Sequence, residues 1–252
     1  MKKRYISILG FCLLLLSNLA TASTEKFQEA NKNFSNGEID KAISIYEELI
    51  DEGFSSHPLY YNLGVAQFKN ENFAQAALWF ERALRLKPND ENTKFNIEVT
   101  KYKITDKIEA VPELFLIRWI KDFRNLFNEK TWSIISIISF IFTLILIAIF
   151  LTTSIFALRK SSFYVGILSI IIFLVSFNFG YFQKRQMQRA DEGIIFSEFI
   201  EVRSSPDSQS KKLFIIHEGL KVQIVEKIGN WIEIKLPNGD KGWIEEENVE
   251  II

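Results

Sequence analysis

The chain has 252 residues, a formal net charge of −1 at pH 7 and one cysteine. Ser23–Val111 carries 11 basic against 15 acidic residues, and Ile194–Ile252 carries 7 against 11. Neither part offers the basic surface that follows nucleic-acid phosphates, so composition argues against a nucleic-acid partner.

The first 22 residues have the pattern of a cleaved export signal. Basic Lys2–Arg4 precedes the apolar stretch Ile6–Leu16, and small residues follow at Ala20–Ala22. We expect the mature chain to begin near Ser23 and to lose Cys12, which removes any thiolate chemistry or disulfide. An uncleaved membrane helix is the alternative, although the apolar stretch is short for a span.

Residues 23–111 are predicted to form a helical repeat region. A shift of 34 positions aligns Ala42 with Ala76 and Tyr46 with Phe80. The clearest unit, His57–Asp90, resembles the tetratricopeptide repeat, a helix–turn–helix of about 34 residues. Its large, small and terminating residues lie where that family has them: Tyr60, Leu63, Gly64, Phe73, Ala76, Phe80, Ala83 and Pro88.

Three positions depart from a regular array. Gln67 replaces the usual aromatic residue, which predicts looser local packing. Lys26 and Glu29 stand where apolar residues are expected, so residues 23–56 look like a degenerate first repeat. A third helix beginning near Glu91 is expected to cap the stack, because the last repeat otherwise exposes its apolar face.

The resemblance implies a groove, lined by the first helix of each unit, that binds peptides or partner helices. Asn62 and Asn96 are equivalent positions one period apart, and both amides are suited to bind a ligand backbone. The alternative is that these are ordinary solvated repeat residues. The candidate groove residues are Asn31, Tyr61, Asn62, Val65 and Asn96.

Residues 112–130 form a predicted juxtamembrane segment. Pro112 ends the preceding helix, and apolar Trp119 and Phe123 then alternate with charged residues at helical spacing. This pattern is typical of an amphipathic helix at a membrane interface, but it equally suits a third packed helix of the solenoid.

Two uncharged runs follow. Residues 131–158 and 161–183, of 28 and 23 residues, each exceed the roughly 20 residues that cross a bilayer as a helix. We expect a membrane hairpin with a short loop at 159–160. A buried helix pair is the alternative, but it needs a larger soluble domain around it.

The export signal predicts a multi-pass protein of the bacterial inner membrane with both soluble modules in the periplasm. Arg159 and Lys160 suit a cytoplasmic loop. Positive charges before the first run and after the second, such as Lys184 and Arg185, favour the opposite orientation by charge count. The signal decides our prediction, because it commits the first module to export before the spans emerge.

After a linker at 184–193, residues 194–252 are predicted to form a small β-barrel of five short strands. Alternating runs are separated by turns at Gly229-Asn230 and Asn238-Gly239. The order of Val202–Pro206, Gly219, Trp231–Ile234 and Gly242–Ile244 resembles bacterial SH3-like domains. Trp231 and Trp243 are either core residues, the interpretation we favour, or a ligand-binding face; cell-wall peptidoglycan is a ligand that the resemblance implies.

The expected fold class is a multidomain membrane protein: an all-α tetratricopeptide solenoid, a two-helix membrane hairpin and a small all-β SH3-like barrel. This module order resembles BatE-type proteins of bacterial Bat aerotolerance clusters. That resemblance implies von Willebrand factor A-type Bat membrane proteins as partners and a role in assembly.

We predict no enzyme activity, catalytic residues, metal or cofactor, because the two histidines, His57 and His217, lie in different modules and no catalytic motif is present. Two functions stay open: a membrane-anchored scaffold that binds partner proteins through its repeats, and a cell-wall sensor that acts through the barrel.

Overall fold

The computed structural model describes residues 23–109, 111–112, 114–188 and 191–252. The predicted signal at residues 1–22 lies outside these ranges. The described residues form eight α-helices: α1 (23–35), α2 (Ile39–Asp51), α3 (His57–Lys69), α4 (Phe73–Leu86), α5 (Glu91–Lys101), α6 (Phe115–Asn125), α7 (Glu129–Thr152) and α8 (Phe156–Gln188). Seven strands follow: β1 (Glu192–Ile195), β2 (Phe199–Arg203), β3 (Lys212–His217), β4 (Lys221–Ile228), β5 (Trp231–Lys235), β6 (Lys241–Glu245) and β7 (Val249–Ile251).

The chain divides into two compact units. One unit contains the repeat region, through Arg85 and from Asp90 to Val111, together with the C-terminal barrel. The other contains residues 86–89 and the chain from Pro112 through α7 and α8. The two soluble modules therefore share one unit although the long helices separate them in sequence.

Local signals set the ends of the repeat helices. The Ser56 hydroxyl accepts a hydrogen bond from the Leu59 amide at the start of α3, and Pro58 occupies the first turn of that helix. Asp90 caps α5 in the same way, through the Thr93 amide at 3.1 Å. Gly53 follows α2 with a φ of 89°, a backbone conformation that glycine adopts without steric cost.

A small residue in the repeat core lets two helices approach closely. Tyr46, Leu63 and Phe80 are almost completely buried. A Cβ added to Gly64 would lie 2.7 Å from the Phe80 ring, so only glycine lets α3 and α4 approach this closely.

Two of the irregular positions, Gln67 and Lys26, have specific partners. Gln67 is buried, donates to Glu47 at 3.2 Å and accepts from Asn72 at 2.9 Å. Looser packing at Gln67 was therefore a wrong expectation, because these hydrogen bonds satisfy its amide in place of aromatic contacts. Lys26 pairs with Glu48 at 2.7 Å and with Glu52, which explains a charge at this position of the first repeat.

The barrel is one antiparallel sheet in the order β3-β2-β6-β5-β4-β1-β7. Ile232 and Ile234 of β5 point into the core with Ile244 of β6, and the residues between them point outward. The expected five strands become seven because the short runs of β1 and β7 pair with each other, Gly193 opposite Ile251. Three- and four-residue strands leave too little alternation to detect in a sequence.

Both long helices, α7 and α8, are long and apolar enough to cross a membrane. Most of their apolar side chains point outward, which is the reverse of a soluble core, while Thr143 of α7 donates to Ser169 of α8 at 2.9 Å inside the pair. The turn lies at residues 153–155, so Arg159 and Lys160 belong to the start of α8 and not to a loop at 159–160. Helix α8 also continues beyond residue 183.

Helix α6 belongs to the unit that contains α7 and α8. The main-chain oxygen of Arg124 accepts from the Trp132 indole at 2.7 Å and from the Gln183 amide at 3.1 Å. The apolar side chains Trp119 and Phe123 are exposed. This arrangement favours the interfacial interpretation over a third packed solenoid helix.

Candidate partner-binding sites

The predicted groove residues lie on the first helices of the repeats, α1, α3 and α5. Asn31 connects the first two units, because its side-chain oxygen accepts from Asn62 Nδ2 at 2.8 Å and from the Tyr46 hydroxyl at 2.6 Å. Asn96 Nδ2 donates to the Tyr61 hydroxyl at 3.1 Å and so connects α5 to α3. The structure thus joins Asn31 to Asn62 and Tyr61 to Asn96.

Apolar contacts fix the remaining groove positions. Tyr61 and Val65 are half-buried and pack against the cluster around Phe80 and Ile97. The His57 ring stacks on Tyr61 with ring centroids 5.9 Å apart, and its Nε2 lies 3.0 Å from the Thr93 hydroxyl. These contacts hold the Tyr61 ring in place between neighbouring helices.

Burial changes the chemistry of this network. It raises the pKa of Tyr46 to about 12, although a hydrogen bond from Asn62 opposes the shift. Tyr46 is therefore a neutral donor at physiological pH. An amide has two donor hydrogens and an acceptor oxygen, so Asn62 and Asn96 keep hydrogen-bonding capacity after these contacts.

Both candidate tryptophans of the barrel, Trp231 and Trp243, lie on its outer face. The core interpretation is wrong for Trp231 and Trp243, because each is only partly buried and lies outside the buried cluster that contains Ile232, Ile234 and Ile244. Alternation along β5 and β6 places the isoleucines inside and the tryptophans outside.

The outer barrel face is here the outward side of β3, β2, β6 and β5. Trp243 is opposite Arg203 on β2 and Glu233 on β5, and Trp231 lies one diagonal step from Trp243. Ile215 and Phe199 extend the apolar part of the face, with more than half of each side chain exposed. Whether this face binds a ligand stays a prediction.

The repeats and the barrel meet in an interface that sequence reasoning missed. Lys221 of β4 lies 2.9 Å from Glu81 of α4 and 3.1 Å from Glu192 of β1. Burial alone would lower the pKa of Lys221, but the two carboxylates outweigh it and raise that pKa. Arg85 donates to the main-chain oxygen of Ile252 at 2.5 Å and lies 3.4 Å from Glu192.

Apolar residues form the centre of this interface. Ala74 and Leu78 of α4 cluster with Ile194 and Ile252 of the barrel, and Phe196 packs against them. The contacting residues lie more than 100 positions apart in sequence, so local periodicity does not predict their contact. The only sequence signal is that apolar Ala74 and Leu78 lie on the outer face of α4, which indicates that another element packs there.

The segment after α5, which we call the strap (residues 103–109 and 111), lies along the barrel. Asp106 accepts from the His217 amide at 2.6 Å and lies 2.9 Å from its Nδ1. Ile108 packs against the barrel core, and the Val111 amide donates to the Pro237 carbonyl at 3.1 Å. Gly219, with a φ of 82°, leaves the space that Ile104 occupies.

Within the described ranges, no group of three or more His, Cys, Asp and Glu side chains is placed to hold a metal ion.

Comparison with known families agrees with the two module assignments. Residues 57–90 match the tetratricopeptide repeat. Residues 198–250 match the bacterial SH3 domain. Both are non-catalytic interaction domains; the repeat indicates protein–protein interaction and the SH3 domain indicates cell-wall binding. No curated protein is significantly similar to this chain.

Proposed function

We propose that this protein is a non-enzymatic, membrane-anchored scaffold that binds partner proteins in the groove of its repeats. One observation carries the proposal: two interaction modules, a tetratricopeptide repeat and an SH3 domain, pack into one compact unit of a chain that also has two helices suited to cross a membrane. Such a chain holds its partners near the membrane surface.

The packing supports a topology with both modules on one side. Two spans return the chain to the side from which it entered, and the ion pairs from Lys221 to Glu81 and Glu192 require the modules to meet. The export signal expected at residues 1–22 supports a periplasmic position for both modules at the inner membrane. Arg159 and Lys160 then lie near the cytoplasmic turn.

The order of the modules supports a Bat-type assembly role. In this proposal the partners are von Willebrand factor A-type membrane proteins, which offer exported segments to the repeat groove. Asn62 and Asn96 bind the main chain of such a segment through the amide hydrogen and oxygen that their internal hydrogen bonds do not use.

Co-purification tests the scaffold. The full-length protein, extracted from its native membranes in mild detergent, is expected to retain specific membrane proteins that an Asn62→Ala/Asn96→Ala variant loses. A variant with Asn36→Ala and Asn89→Ala, two exposed amides in the turns between helices, is the matched control and should retain them. Equal recovery with both variants overturns the groove as the binding site.

A second function is favoured by the uncovered outer barrel face. Trp231 and Trp243 offer partly exposed rings beside Arg203 and Glu233, an arrangement able to stack on sugars and to pair with charged peptide stems. A cell-wall sensor of this kind should co-sediment with purified peptidoglycan. Trp231→Ala/Trp243→Ala should abolish sedimentation and leave the partner profile of the repeats unchanged; sedimentation equal to that of the unmodified protein excludes this face.

A further inference from the structure

A second groove lies between the repeats and the barrel, on the side formed by the second helices α2 and α4. Its volume is about 410 Å³, within the usual range of ligand pockets. Ile50 of α2, Trp79 of α4 and Phe196 of the barrel supply its apolar lining. The candidate residues Asn31, Asn62 and Asn96 belong to the first helices, so this groove is a separate surface.

Two carboxylates of α2 form one wall of this groove. Glu47 and Asp51 are one helical turn apart and therefore share a face of the helix. Glu47 accepts a hydrogen bond from Gln67, and burial together with the charge of Asp51 raises its pKa. Neither carboxylate forms an ion pair with a lysine or arginine of the described chain, whereas Lys26 pairs with the neighbouring Glu48 and Glu52.

The groove's own cation is already neutralised. The Arg82 guanidinium lies 2.9 Å from Glu250, donates to the Ile251 carbonyl at 2.7 Å and lies over the Trp79 ring at 4.8 Å. The charges of Glu47 and Asp51 are therefore left uncompensated beside an apolar surface. A bound cation with an aliphatic stem would satisfy both features.

We infer that this groove binds a lysine- or arginine-bearing segment of a partner protein. The basic head group lies between Glu47 and Asp51, its aliphatic stem covers Ile50, and an adjacent apolar side chain of the partner packs on Phe196. Because α2, α4 and the barrel all line the groove, only the packed pair of modules forms the site. The inference is independent of the groove proposed on the first helices.

A binding titration with a defined probe tests this site. The full-length protein in detergent is titrated against a fluorescein-labelled peptide that alternates leucine and lysine, with a leucine–glutamate peptide as the negative probe, by fluorescence anisotropy. We expect saturable binding of the lysine peptide that weakens as ionic strength rises. Glu47→Gln/Asp51→Asn should weaken it by about tenfold or more, because both attractive charges are removed.

The chain offers a close control. Glu25 and Glu29 are exposed on α1 with the same spacing of four residues, so Glu25→Gln/Glu29→Gln changes the net charge equally and should leave the affinity unchanged. Phe196→Ser should also weaken binding, since the barrel contributes that side chain. Equal weakening by both charge variants would show general attraction to an acidic surface and overturn the site.

Folding of the variants is checked in the same samples. Gln keeps the hydrogen bond with Gln67, and Asp51 is exposed, so Glu47→Gln/Asp51→Asn should melt at or slightly above the temperature of the unmodified protein. Loss of binding on Asn62→Ala/Asn96→Ala, with retention in the Glu47→Gln/Asp51→Asn variant, would assign the peptide to the other groove and overturn the inference.

Discussion

At the scale of single residues, the repeat region combines a tightly packed interior with a hydrogen-bonded groove. Asn31 receives hydrogen bonds from Tyr46 and Asn62, so one side chain links α1 to both α2 and α3. The resemblance to the tetratricopeptide repeat made Asn31 and Asn62 candidate groove residues, but it does not show that they bond to each other. Whether two such side chains meet depends on the angle between their helices, and the sequence pattern does not determine that angle.

The pH dependence of the stability of a Tyr46→Phe variant tests the hydrogen bonds between Tyr46, Asn31 and Asn62. The folded pKa of Tyr46, about 12, exceeds its ordinary value of 10.0, so its contribution to stability is complete below pH 10 and is lost as pH rises toward 12. Phenylalanine does not ionise, so the variant should lack this loss of stability at alkaline pH. At pH 7 its free energy of unfolding should be lower by about 1 kcal/mol, because the hydrogen bond is lost. Denaturant unfolding of both proteins at pH 7 and pH 11 measures both effects. Parallel losses of stability at the two pH values would contradict the assignment.

Gly64→Ala tests the close approach of α3 and α4. The added methyl group would lie 2.7 Å from the Phe80 ring, and Phe80 is too buried to move freely. We expect a net loss of about 1–2 kcal/mol, because overpacking costs more than the helix propensity gained from alanine. In the Gly64→Ala background, Phe80→Leu should cost less than in the unmodified protein, and additive effects in this double-mutant cycle would argue against the contact.

At the scale of elements, the strap and the short strands complete the barrel. Asp106 holds the strap to β3 through the amide and the ring of His217, and Ile108 adds an apolar contact to the core. The strap is therefore part of the barrel's structure as well as the end of the repeat region.

Asp106→Ala should release the strap. We expect hydrogen exchange at the His217 amide to accelerate by about tenfold or more, since its hydrogen-bond acceptor is removed. Glu109→Ala, an exposed position in the same segment, is the control and should leave exchange unchanged. Unchanged exchange in Asp106→Ala would show that the strap does not depend on this contact.

Long and regular patterns were predictable from the sequence, and short or non-local ones were not. The 34-residue shift identified the repeat at His57–Asp90, and uncharged runs identified α7 and α8. The pairing of β1 with β7 and the turn at residues 153–155 were missed. Both depend on a few residues whose conformation is set by tertiary contacts, and apolar runs look the same through a turn as within a helix.

At the scale of the whole molecule, the packing of repeats against barrel is the main feature that the sequence conceals. Lys221 joins α4 to β1, and Arg82 and Arg85 reach the last strand and the residue that follows it. The two interaction modules consequently present their surfaces as one body, including the groove beside Glu47 and Phe196.

Lys221→Met should weaken this packing. It leaves Glu81 and Glu192 without their shared cation, and we expect a loss of about 1–3 kcal/mol, because Lys221 is only partly shielded from water. Lys227→Met removes an exposed pair with Glu246 and should cost less than about 1 kcal/mol. Chemical denaturation of the full-length protein in detergent compares the two. Equal losses would show that Lys221 makes no special contribution.

Both modules share one compact unit, which we propose lies on the periplasmic side of the membrane. Cysteines introduced separately at Asn92 and Ser208 place one thiol in the repeats and one in the barrel. An impermeant thiol reagent, applied to cells whose outer membrane alone is opened, is predicted to label both positions. Labelling of either position only after the inner membrane is opened would contradict the shared periplasmic unit.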